Sequence, residues 1–180
     1  MRSSVGRISA AMFASQPSLL VEAWKELRAN LSETLSDKEQ LVMVTEFWSH
    51  AALQHRWLDW DNPDFWPTAW ELMHNGKFDE SSIALGMFYT LLLSSDERWT
   101  PNRMKLQLIN DRSYQVQQLM LIIDKRWILN LEYNSVIDLE KIDRNMSVQQ
   151  HYEWDGRSHS ATGRTFIPKI NTINSSDKAR

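Results

Sequence analysis

The sequence predicts an α+β fold, with an N-terminal helical hairpin and a buried central helix packed on a small antiparallel sheet. Three observations carry that expectation. Apolar residues recur at helical spacing early in the chain, a central segment is apolar almost all round, and the second half alternates with a period of two. At 180 residues and 42% apolar composition, the chain is long enough for one domain with a substantial core.

In chain order, residues 1–16 read as a flexible arm and 17–155 as a single domain. Pro17 and Ser18 open a helix expected to reach Leu35, with Leu20, Trp24, Leu27 and Leu31 on one stripe. Ser36 followed by Glu39 is a capping box. It starts a second helix whose stripe is Leu41, Val44, Trp48 and Ala51. Residues 56–66 form a loop rich in acids and rings. Pro67 suits the first turn of a short helix that Gly76 ends in a left-handed conformation. Asp79 caps the next helix, and Glu80 complements its positive end. Ile83, Ala84, Leu85, Met87, Phe88, Leu91 and Leu92 leave that helix no polar face, so it is the buried one. Strands are expected at 104–109, 114–123, 127–133 and 148–154, with a tight turn at Asp124-Lys125; short connections make the sheet antiparallel. Residues 156–180 show little periodicity and read as an extended basic C-terminal arm.

The chain has no cysteine, which excludes disulfides, thiolate metal sites and a cysteine nucleophile. No stretch approaches the roughly 20 apolar residues of a membrane helix, and residues 1–16 hold no secretion-type apolar run. A cytoplasmic location is therefore expected. The net charge of −3 conceals arms of +2 (residues 1–15) and +4 (157–180) around a body of −9. That division suits docking onto an acidic partner or onto nucleic acid, while the body itself is a poor reader of duplex DNA. Four of the nine tryptophans, Trp57, Trp60, Trp66 and Trp70, fall within fourteen positions. Large rings with a polar handle are favoured in cores and at protein interfaces. The candidate contact residues are accordingly Trp57, Trp60, Phe65, Trp66 and Trp70, with Arg157, Arg164 and Lys169 of the basic arm.

Chemistry is harder to place. Asp59, Asp61 and Asp64 are clustered, but an EF-hand needs a ligand, a glycine and a glutamate where this chain has Pro63, Asp64 and Trp70. These acids instead suit turn formation beside Pro63. His50 and His55 are five apart, off the spacing of a helical metal pair, and His74, His151 and His159 are scattered. Phosphate-binding glycine loops and a serine-hydrolase elbow are missing. No catalytic residue, metal site or cofactor is expected.

The order of elements resembles the transglutaminase-like (papain-like) family over roughly residues 66–133. The carrying residues are Gly76-Lys77-Phe78-Asp79-Glu80 before the buried helix, the apolar strand ending at Ile123, and Asp124-Lys125-Arg126-Trp127-Ile128-Leu129-Asn130. The resemblance implies a nucleophile at the start of the central helix, a His on the next strand and an Asp on the one after. Phe78, Val116 or Gln117, and Asn130 occupy those places, so the thiolate–imidazole pair is lost. A second segment, Trp66-Pro67-Thr68-Ala69-Trp70-Glu71-Leu72-Met73 with Ile83-Ala84-Leu85-Gly86, is similar to virion-associated proteins of tailed bacteriophages. Together these imply a non-catalytic structural or interaction protein, a phage neck or tail component, located in the cytoplasm or the virion. Its expected partners are other subunits or a second copy of itself, with nucleic acid less favoured and no membrane. The alternatives are a carboxylate-dependent enzyme using Asp59, Asp61, Asp64, Asp79 or Glu80, and an accessory protein for single-stranded nucleic acid.

Overall fold

The computed structural model describes residues 17–55, 58–142, 145–154 and 170–174. The helices are α1 (Pro17–Asn30), α2 (Asp37–Ser49), α3 (Ala69–Asn75) and α4 (Glu80–Leu92). The strands are β1 (Met104–Asp111), β2 (Val116–Ile123), β3 (Trp127–Leu129), β4 (Val136–Asp138), β5 (Met146–Trp154) and β6 (Ile170–Asn174). They form one sheet in the order β4-β3-β2-β1-β5-β6, with every neighbouring pair antiparallel. The expected helical pair, buried central helix and antiparallel sheet are all present.

Local chemistry explains most boundaries. Ser36 and Glu39 make the capping box of α2, and the Ser36 N–H donates to the Glu39 carboxylate at 2.8 Å. Thr68 and Glu71 cap α3 in the same way, so Pro67 lies just before the helix rather than in its first turn. Gly76 ends α3 at φ +59°, a conformation glycine adopts without steric cost. The α1 helix stops at Asn30, five residues before its expected end. There the Ser32 carbonyl accepts a bond from Gln40 Nε2 at 2.8 Å and the chain turns back toward α2.

The main core lies between α4, the other helices and one face of the sheet, where Leu106, Leu119, Leu121, Ile123 and Tyr152 point. A smaller cluster of Ile109, Met120, Ile122 and Ile128 covers the opposite face. β2 is thus apolar on both sides, which is why its sequence runs rather than alternates. Two polar hubs sit inside the helical half. Thr90 accepts both the Trp24 and Trp48 indole N–H groups, at 2.9 and 3.0 Å, and donates to the Gly86 carbonyl. Gln40 donates to Asp96 and accepts from Trp99. Buried indoles cost free energy unless their N–H is paired, so these hubs account for three of the tryptophans. Trp48 passes so close to α4 that a Cβ on Gly86 would lie 2.2 Å from its ring. Only glycine lets the two helices meet there.

Candidate functional site

The first turn of α4 is held from three sides. Asp79 Oδ1 accepts the Ser82 N–H at 2.6 Å and its Oδ2 accepts the Leu58 N–H at 2.9 Å. Both oxygens are spent on structure: one caps the helix, the other anchors the loop that precedes α3. From the sheet, Asn130 Nδ2 donates to the Glu80 carbonyl at 2.7 Å and to the Leu119 carbonyl at 3.0 Å. Asn130 is in the left-handed region at φ +68°, where asparagine is among the better tolerated residues, and its own carbonyl accepts a bond from Gln118. From the other side, the chain at Leu53 and Gln54 runs alongside Phe78, with the Gln54 N–H donating to the Phe78 carbonyl at 2.7 Å.

These constraints leave a cleft of about 260 Å³ at the N-terminal end of α4, between the helical half and the start of β2. Glu80 and Ser81 face it from the helix, Gln117 from the sheet, and Leu53, Gln54 and His55 from the parallel segment. Trp60 closes one end. Its indole N–H donates to Ser81 Oγ at 3.1 Å, and its carbonyl accepts from Tyr152 Oη at 2.9 Å, tying the loop to β5. A further hollow of about 60 Å³ lies beyond Leu53, between the end of α2 and the β3–β4 connection. The chemical inventory is a carboxylate, a hydroxyl, an imidazole and two amides beside apolar walls. Amides that donate and accept suit the backbone of an extended chain.

Of the candidate contact residues, Phe65 is 85% exposed and Trp70 47% exposed, while Trp60 is half-buried at the cleft. Trp66 is in the core, its ring 4.7 Å from Tyr152 and its N–H on the Asp59 carbonyl. Trp57, Arg157, Arg164 and Lys169 lie outside the described residues. The structure therefore gathers Trp60 into the site and leaves Phe65 and Trp70 on the surface. The acids divide as turn chemistry requires: Asp59 accepts from the Asp61 N–H and from Asn62, and those bonds hold its carboxyl below the ordinary range. Among the described residues no group of three His, Asp or Glu side chains is placed to hold a metal ion. Leu53, Gln54, His55 and Ser81 had no sequence signal as a set, because only the fold brings the 53–55 segment beside α4.

Phe78, at the place where the resemblance puts a nucleophile, is fully buried and meets Trp48 edge-on at 5.3 Å. Gln117 and Asn130 occupy the other two places, one in the cleft and one tying the helix to the sheet. The fold is papain-like. No protein-family model and no curated protein matches the sequence, but solved structures do. Legionella pneumophila LapG with calcium bound is similar at TM-score 0.64 and 15% identity, covering 89% of this chain and 93% of that one. LapG treated with EGTA is similar at TM-score 0.58 and 16% identity, covering 81% and 82%. A third LapG structure gives 0.57 and 15%, covering 84% and 86%.

This likeness to the fold of LapG-type periplasmic proteases corrects several expectations. The reading as a phage neck or tail component falls, since the fold matches that of LapG over 89% of the chain. The cytoplasmic or virion location falls with it. The expectation of no catalysis also falls: the fold is shared with LapG, and the missing thiol removes one nucleophile, not the cleft or its other groups. Among the described residues, no helix is long and apolar enough to cross a membrane.

Proposed function

We propose that this protein engages an extended segment of a protein partner in the cleft at the first turn of α4. The observation that carries this reading is the cleft itself. It lies in a papain-like fold between the helical half and the sheet, with Gln54 and Gln117 amides beside exposed Leu53 and half-buried Trp60. Side-chain amides satisfy a peptide backbone, and the apolar walls take side chains. The likeness to LapG supports a protein as the ligand class.

A second reading is hydrolysis of that segment by groups other than a thiol. Glu80 and His55 line the same space as the Ser81 hydroxyl, which places a carboxylate and an imidazole at one site for proton transfer. Fluorescently labelled casein, an unfolded polypeptide, tests both readings. Anisotropy is expected to rise on mixing, and Leu53→Ser is expected to abolish most of the rise without lowering the melting temperature, because Leu53 is 57% exposed. No rise, or a rise that Leu53→Ser leaves intact, contradicts binding at this cleft. Mass spectrometry of the same mixture decides the second reading: fragments lost with Glu80→Gln or His55→Ala support hydrolysis, and intact casein excludes it for this substrate.

A further inference from the structure

The cleft is one end of a longer groove. Glu80, Ile83 and Met87 are spaced three and four apart on α4, so they share one helix face. Glu80 lines the larger hollow while Ile83 and Met87 line the smaller one, and Leu53 borders both. The far wall is the β3–β4 connection, where Glu132 stands beside Tyr133, a ring 78% exposed. An exposed leucine and an exposed tyrosine flanking the groove are large apolar surfaces left to water.

At the α4 end the groove presents the Glu80 carboxylate, and among the described residues that line it there is no Lys or Arg. The field of such a groove draws cations and repels anions, most strongly where low-dielectric walls focus it. Aliphatic and aromatic walls with an acid at one end match one kind of side-chain pair. The basic head sits at an acid, and its methylene stem or an apolar neighbour lies on Leu53 and Tyr133.

We infer that the groove along α4 selects extended polypeptide segments in which a Lys or Arg adjoins a large apolar residue. This inference rests on the binding function proposed above and specifies its ligand class. The basic side chain pairs with Glu80, and the apolar one fills the hollow of about 60 Å³ against Ile83 and Met87. Partly exposed ion pairs are worth up to about 1 kcal/mol each. A difference of about 1 kcal/mol between attraction and repulsion at one position is a discrimination of about fivefold.

Three labelled nine-residue peptides on a Gly-Ser background test this, with Lys-Leu, Glu-Leu or Lys-Ser at the centre. Fluorescence anisotropy is read at low and high salt, with casein as the general probe. Tightest binding by Lys-Leu is expected, with Glu-Leu and Lys-Ser each about fivefold weaker. Added salt and Glu80→Gln should both narrow the gap between Lys-Leu and Glu-Leu. Casein binding with equal affinity for all three peptides overturns the selectivity while leaving the cleft as a polypeptide site. Failure of casein and every peptide to bind overturns the binding function itself, and the selectivity with it.

Discussion

Replacing Asn130 by aspartate tests how the sheet holds the first turn of α4. The Asn130 amide donates to the Glu80 and Leu119 carbonyls at 2.7 and 3.0 Å, one on the helix and one on β2. Asparagine also tolerates the φ of +68° that this position requires. Asn130→Gly keeps the backbone comfortable and removes both bonds, which costs about 1–2 kcal/mol for two partly exposed pairs. Asn130→Asp goes further, because an ionised carboxylate faces two carbonyl oxygens with nothing to donate. Its cost at neutral pH is about 2–4 kcal/mol, a loss of roughly 4–16 °C in melting temperature for a chain of this size. The pH dependence has a definite sign. Facing two acceptors, the aspartate prefers its protonated form in the fold, so its folded pKa lies above the unfolded value of about 3.9. The penalty is absent below the unfolded pKa, grows as pH rises, and is complete above the folded one. Thermal melts followed by near-ultraviolet circular dichroism at pH 4 and pH 8 read this directly. Asn130→Asp should fall much further below Asn130→Gly at pH 8 than at pH 4. Equal melting temperatures for the two variants at both pH values would refute the clamp.

Gly86→Ala places a methyl 2.2 Å from the ring of Trp48, a fully buried side chain pinned by its bond to Thr90. The helix gains up to about 1 kcal/mol of propensity, yet the overpacking outweighs it, and denaturant unfolding should show a net loss of about 1–3 kcal/mol. A stabilised variant would mean that the α2–α4 crossing is looser than described. Acid should unfold the protein through its carboxylates. Burial pushes the Asp37 carboxyl up, but hydrogen bonds from Arg103 and Arg98 outweigh it and hold the group below its ordinary value. Asp96 behaves alike, with Arg98 and Gln40 as its donors. Depressed folded values mean stability that is complete above the unfolded pKa of about 3.9 and lost as pH falls through the folded one. Denaturant midpoints from pH 7 to pH 2 should fall below about pH 4, and Asp37→Asn should flatten that fall; an unchanged slope would remove the network from acid stability.

Much of this fold was legible in the residues, for reasons that differ by element. The α4 helix announced itself because a buried helix has no polar face to interrupt its apolar run, and Asp79 marked its start. Ser36 and Glu39 located the start of α2 to the residue, whereas the helix ends at Ser49, before Ala51 of the expected stripe. β3 ends at Leu129, short of the expected Tyr133, because Asn130 turns left-handed to reach Glu80 and Leu119. β4 is three residues long and half-buried throughout, too short to show alternation. β6, whose Ile170–Asn174 pairs with β5, lies in a stretch with few apolar residues to mark it. The site was legible only where the resemblance reached. Gly76 through Glu80, Gln117 and Asn130 stood in the resemblance, whereas Leu53, Gln54 and His55 reach the cleft through a backbone bond to Phe78 that no local pattern encodes. Trp66 and Phe65 show the same limit: they are adjacent in a loop without periodicity, and one is core while the other is solvent-exposed.

The central claim is that polypeptide binds at the groove beside α4, and site-specific photocrosslinking measures it most directly. A benzophenone side chain is placed at Leu53, which borders both hollows, and in a second protein at Val42, exposed on α2 and lining neither. With labelled casein under illumination, strong crosslinking from position 53 and little from position 42 is the result this account predicts. Equal yields from the two positions, or none from position 53, would contradict it.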